Sequence, residues 1–146
     1  VLTNEKKAAW VEFYLSHAQI TREIDRRMTA AGVVGMEVYD VLLQLEESPD
    51  GRLRMNELAD RVTYSRSGIT RLVDRLEREG WVQRVACPMD RRAMHCQLTE
   101  RGRAERERAW PVYAAGIQDL FGQHLSDQDA QTIVRLLSPL RTPCGE

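Results

Sequence analysis

The stretch "YSRSGITRLVDRLEREG", residues 64–80, decides the fold. Ile69, Leu72, Val73 and Leu76 recur at the spacing that lays one apolar stripe along a helix. On the same wheel Ser67, Arg71, Asp74 and Arg78 fall opposite that stripe. Ser65 is placed to cap the first turn, and Gly80 stands where a helix ends on a left-handed residue. A helix clamped on one side, with small hydroxyls and guanidinium groups on the other, suits the DNA major groove. The alternative is a solvated face whose arginines only pair with Asp74, Glu77 and Glu79.

The neighbours of this helix favour the first reading. Upstream, "MNELADRV" (55–62) repeats the pattern with Met55, Leu58, Ala59 and Val62, and only "TYS" separates the two helices. That is a helix-turn-helix. Downstream, "WVQRVAC" (81–87) and "AMHCQL" (93–98) read as strands joined by "PMDRR", a hairpin with an arginine-bearing tip. A hairpin directly after a helix-turn-helix is a wing. Arg91 and Arg92 are placed to enter a narrow minor groove, and Asp90 can shape the tip by holding Arg92. On the helix, Ser65 and Thr70 suit a phosphate or a base edge, and Ser67 with Gly68 lets the backbone come close. Arg66 and Arg71 can reach guanine or phosphate, and Arg75 a phosphate. Asp74 is expected to aim Arg71 or Arg78.

Working outward, residues 4 to about 30 carry Trp10, Phe13, Tyr14, His17, Thr21, Ile24 and Met28 at a helical period. "AAGVVG" (30–35) breaks that helix. A second follows, with Val38, Val41, Leu42 and Leu45 on one face, and "ESPDGR" (47–52) ends it in a turn. A long helix is expected from Thr99 to about His124, kinked at Pro111. The last begins behind Ser126, with Ala130, Ile133, Leu137 and Leu140 as its stripe. The fold class is therefore mainly α with a small β-hairpin wing, a winged lobe over 35–98 flanked by helices over 1–31 and 99–146.

Net charge is −1 over 146 residues, but the charge is divided. Arg52 to Arg108 holds 14 basic residues, all Arg, against 9 acidic ones, while the remainder holds 7 against 13. The segment with the candidate helix is thus the cationic one, as a nucleic-acid partner requires. No run reaches the roughly 18 apolar residues of a membrane span, and no signal-peptide pattern opens the sequence, so the expected compartment is the cytoplasm. Cys87, Cys96 and Cys144 lack C-x-x-C spacing and read as reduced thiols. Cys87 and Cys96 lie on facing strands of the wing, where a redox pairing would depend on register. His17, His95 and His124 are scattered, so no metal site and no cofactor are expected. With no nucleophile elbow and no phosphate-binding glycine loop, an enzyme is not expected either.

The segment "LADRVTYSRSGITRLVDRLEREGWVQRVACPMDRRAMHCQLTERG", residues 58–102, closely resembles the core of the MarR family of bacterial regulators. "LVDRLEREGWVQR", "P-x-D-R-R" and "LTERG" stand in the family's order and spacing, and the flanking helices match in number and length. The resemblance implies a homodimer whose terminal helices interlock and whose two lobes meet an inverted-repeat operator, most often as a repressor. It agrees with the long C-terminal helices, which hold more apolar surface than one small lobe can bury. By matching positions it makes Ser65, Arg66, Ser67, Thr70, Arg71, Arg75, Arg91 and Arg92 the DNA-contacting set. It also implies release by a small aromatic or phenolic ligand that fills the crevice between the dimer helices and the winged lobe, where Tyr14 and His17 could contribute. The sequence departs from the family's pattern twice. Cys87 stands where the wing usually opens with Asp, and Val33-Val34-Gly35 replaces the usual Ser or Thr cap of the second helix. The rival from another class is a winged-helix module that binds protein, which would show an apolar or acidic face where this chain shows Ser, Thr and Arg.

Overall fold

The computed structural model describes residues 1–62, 66–87 and 89–141, with Arg66, Ser67 and Arg91 described by their backbone alone. Along the chain run α1 (Asn4–Ala30), α2 (Met36–Glu46), β1 (Arg52–Arg54), α3 (Met55–Arg61) and α4 (Arg66–Arg78). Then come β2 (Val82–Cys87), β3 (Asp90–Leu98), α5 (Glu100–Leu120) and α6 (Asp127–Leu137). Chain termination signals explain several of these limits. At the end of α1, Gly32 (φ +68°) lets its own amide and that of Val33 bond back to Thr29 and Met28. Gly80 (φ +77°) ends α4 in the same way, with Gly80 and Trp81 bonded back to Glu77 and Leu76. Ser126 caps α6, its hydroxyl accepting from the Asp129 amide while the Asp129 carboxylate takes the Ser126 amide.

The missing local cap of α2 has a replacement from further away. Asp25, on α1, accepts the Met36 amide at 2.9 Å and so satisfies a free N–H of the first turn. A Cβ at Gly35 would lie 2.6 Å from that same carboxylate oxygen, so a larger residue there would push the Asp25 cap aside. The departure from the family's pattern is therefore a change of capping partner.

The core is one cluster. Val38, Val41, Leu42 and Leu45 of α2 meet Leu58 of α3, the α4 stripe Ile69, Leu72, Val73 and Leu76, and Val82 and Cys96 of the sheet. Ile24 and Met28 of α1 and Ala109 of α5 join it, so both flanking helices are rooted in the lobe. Each fully buried aliphatic side chain contributes about 1.5–3 kcal/mol. Ion pairs brace the rim: Arg103 meets Glu46 at 2.6 Å, and Arg27 meets Asp119 at 2.9 Å.

The sheet is antiparallel in the order β1-β3-β2. Its third strand, β1, was not expected, because three residues of Arg-Leu-Arg carry too little alternation to read as a strand. It forms because Leu53, opposite Cys96, is drawn into the core while Arg52 and Arg54 pair with Gln97 and His95. The long helix after the wing also ends earlier than expected. α5 runs through Pro111 and stops at Leu120, beyond which Gly122–His124 tightens into a 3-10 turn.

Candidate nucleic-acid interface

The apolar stripe of α4 is fully engaged: Ile69 is 1% exposed, Leu72 6%, and Val73 and Leu76 are sealed. Burial of that face turns the other one out. Thr70, Arg71, Asp74 and Arg75 are exposed along it. Gly68 stands with Arg71, Arg75 and Arg78 at a shallow notch against Glu37 of α2. Arg75 lies 4.0 Å from Glu37, whose carboxyl burial pushes above its ordinary range in spite of that guanidinium. Ser65, expected as a DNA contact and as the α4 cap, lies outside the described residues. Arg66 and Ser67 occupy the first turn of α4.

Asp74 does not serve the arginines of its own helix. It pairs with Arg84 of β2, 2.6 Å away, rather than with Arg71 or Arg78. Glu77 grips the same residue twice, taking the Arg84 guanidinium at 3.2 Å and the Arg84 amide at 2.8 Å. Burial works against the Arg84 charge, yet the hydrogen bonds and fields of Asp74 and Glu77 outweigh it and raise its pKa. This clamp welds the wing's first strand to α4. Its components were not read as a unit from sequence, since Arg84 is seven and ten positions from its partners.

The wing hairpin is tighter than expected. β3 begins at Asp90, not at residue 93, so Arg91 and Arg92 sit on the strand next to the turn. Arg92 is exposed, and Asp90 holds it through the backbone: the Asp90 carboxylate accepts the Arg92 amide at 2.9 Å. Asp90 thus shapes the chain path rather than the guanidinium pose. The register shift between Ala86 and Cys87, where Cys87 pairs with Asp90, marks a bulge at the base of the turn. Cys96 pairs instead with Arg84, so the two thiols are staggered along the hairpin and cannot close a disulfide. Burial pushes the Cys96 thiol up to about 12.

The "LTERG" motif acquires a physical reason. The Thr99 hydroxyl donates to the Gly80 carbonyl at 2.7 Å and accepts the Gly102 amide at 3.1 Å, joining the end of α4 to the start of α5. A Cβ at Gly102 would lie 2.1 Å from the Trp81 carbonyl oxygen, so the close approach demands glycine.

Tyr14 and His17 are not brought to one cavity. His17 lines an apolar groove of about 580 Å³ with Phe13, Ile20, Phe121, Ile133 and Leu137, between α1 and α6. Tyr14 stacks on Trp10, ring centroids 6.1 Å apart, and is 59% exposed. Among the described residues no three His, Cys, Asp or Glu side chains cluster to hold a metal, and no helix is long and apolar enough to cross a membrane.

Comparison with known proteins places this geometry. Residues 32–93 match the model of the MarR family. The chain is 34% identical to an HTH-type transcriptional regulator of Bacillus cereus over 100 residues, 68% of this chain and 65% of that relative. It thus spans just under two thirds of that relative's length. It is 29% identical to the HTH-type transcriptional repressor YetL of Bacillus subtilis over 136 residues, 91% of this chain and 81% of the relative. A MarR family transcriptional regulator from Streptomyces coelicolor, crystallised in complex with DNA, superposes with a TM-score of 0.87. There the identity is 28%, over 96% of this chain and 88% of the other.

Proposed function

The chain belongs to the MarR family, and from that premise we propose that it is a sequence-specific, double-stranded-DNA-binding transcriptional regulator that represses by occupying an inverted-repeat operator as a homodimer. The observation that carries this reading is α4, clamped by four buried aliphatic residues and presenting Thr70, Arg71 and Arg75 outward. Arg71 reads a base edge in the major groove, with Thr70 and Arg75 on the flanking phosphates. Arg66 and Ser67 complete the contact at the start of the helix, where backbone amides suit a phosphate, and Ser65 belongs to the same proposed set. Arg92, with Arg91 beside it, enters the minor groove at the edge of each half-site.

The dimer part of the proposal is supported by what the single chain leaves uncovered. Trp10, Phe13, Tyr14 and Leu15 of α1 and Leu136 of α6 are all about half exposed or more, and Leu140 beyond α6 is 72% exposed. A second copy covers them by laying its own α1 and α6 along the groove beside His17. Its recognition helix then falls roughly 34 Å from the first, one turn of duplex. A small aromatic or phenolic effector acts beside His17, which lines that groove, while Tyr14 lies outside it. Its binding is read as a shift of the His17 imidazole resonances together with a loss of DNA affinity.

The test of the main proposal is selection of duplexes from a random pool, with the enriched sequence titrated against salt. The proposal expects an inverted repeat whose affinity falls steeply as salt rises. A pool that shows no enrichment with refolded, ligand-free protein would instead favour a winged-helix module that binds protein.

A further inference from the structure

Two carboxylates stand on the helix proposed to face a polyanion. Asp74 lies on the same side of α4 as Arg71, opposite the buried stripe, and its side chain is 55% exposed. Glu77, three residues on, is 42% exposed. Duplex DNA presents about one negative charge per 1.7 Å of axis, so uncovered acids at this place oppose binding at any sequence. Arg84 reaches both from β2 and is itself only 22% exposed, withdrawn beneath the helix surface. It is the one residue bonded to both acids among the described residues, and it holds Glu77 by backbone and side chain together.

We propose that Arg84 is a charge-covering residue for DNA recognition: it touches no DNA, but ties back the Asp74 and Glu77 carboxylates so that α4 meets the duplex with its arginines. The inference rests on the DNA-binding reading above. It also makes the recognition helix and the wing one electrostatic unit, since the covering cation comes from the wing strand and reaches the acids only while β2 lies along α4.

The experiment measures affinity for the selected duplex across a salt series. Its proteins are the wild type, Arg84→Met, and Arg84→Met combined with Asp74→Asn and Glu77→Gln, each with its thermal melt followed by circular dichroism. Arg84→Met should lose about tenfold or more in affinity on specific and non-specific duplexes alike, and the loss should shrink as salt rises. Neutralising the two acids in that background should restore affinity to within a few-fold of wild type, although the clamp is gone. If the triple variant stays as weak as Arg84→Met, Arg84 is only a scaffold between helix and wing, and the inference is overturned. Should Arg84→Met fail to fold, Asp74→Asn with Glu77→Gln in the presence of Arg84 decides the matter. Covering predicts tighter binding on every duplex, and weaker binding contradicts it. Wild type that binds no duplex would strike down the DNA-binding reading and this inference with it, whereas binding without rescue strikes down this inference alone.

Discussion

In the winged lobe Leu58, Ile69, Leu72, Val73 and Leu76 are at most 6% exposed, while on the first half of α1 Trp10, Phe13 and Tyr14 are 61%, 47% and 59% exposed. Both sets recur at helical spacing. The difference lies in what surrounds them. Neighbouring helices and the sheet close around the lobe stripe, whereas the start of α1 runs past the body of its own chain, with α6 alongside. Periodicity records which side of a helix favours leaving water; it does not record whether the same chain supplies the cover. A buried stripe with an open polar face is the signature of the reading head. An open apolar stripe fits the proposed joint with a second copy.

That contrast can be broken by matched truncations, taken here from the largest effect down. Leu76→Ala, at a sealed position, should lower unfolding free energy by about 2–5 kcal/mol in urea titrations, independently of protein concentration. A loss well under 1 kcal/mol would mean that the lobe stripe is not close-packed. Leu136→Ala, on the open face, should hardly change monomer stability but weaken self-association by on the order of 2 kcal/mol for each chain, seen in sedimentation. An effect on unfolding with none on association would place α6 against its own chain instead.

Arg71→Ala sharpens the lobe side of the comparison. A base-reading arginine should cost about 1–3 kcal/mol of discrimination at one operator position. Equal weakening on every sequence would reassign it to a phosphate. Arg92→Ala should have a smaller effect, concentrated on operators with A/T-rich flanks, and flank-independent loss would remove it from the minor groove. Smallest of all, Cys96 should stay unmodified by thiol reagents in the native protein at neutral pH. Its pKa of about 12 keeps it a neutral thiol there, and the thiolate that reacts forms only at far higher pH or on unfolding. Modification at the rate of an exposed cysteine would show that the lobe core opens.

What sequence made legible was local. The α4 stripe, the stop at Gly80, the cap at Ser126 and the hairpin all follow from spacings of a few residues. What it left dark depends on contacts over longer separations. Asp74 had Arg71 and Arg78 within one turn, and the i,i+4 rule pointed there, but Arg84 offers a less exposed position and a second acid beside it. The Asp25 cap joins residues eleven apart across the α1–α2 corner, and no local motif announces it. β1 is a strand only because the wing strand β3 lies beside it. At the proposed site the residue types on α4 were readable, while the wing clamp beneath them, which decides how acidic that face is, was not.

In the proposed dimer the exposed arm surface is completed by a second copy while the lobe stands ready to read DNA. Sedimentation equilibrium of the protein alone, and then with the selected duplex, tests it most directly. The account predicts a species of twice the 16.8 kDa chain mass at micromolar concentration, and that same dimer on one duplex. A monomer in both conditions, with α1 and α6 still helical by circular dichroism, would contradict it.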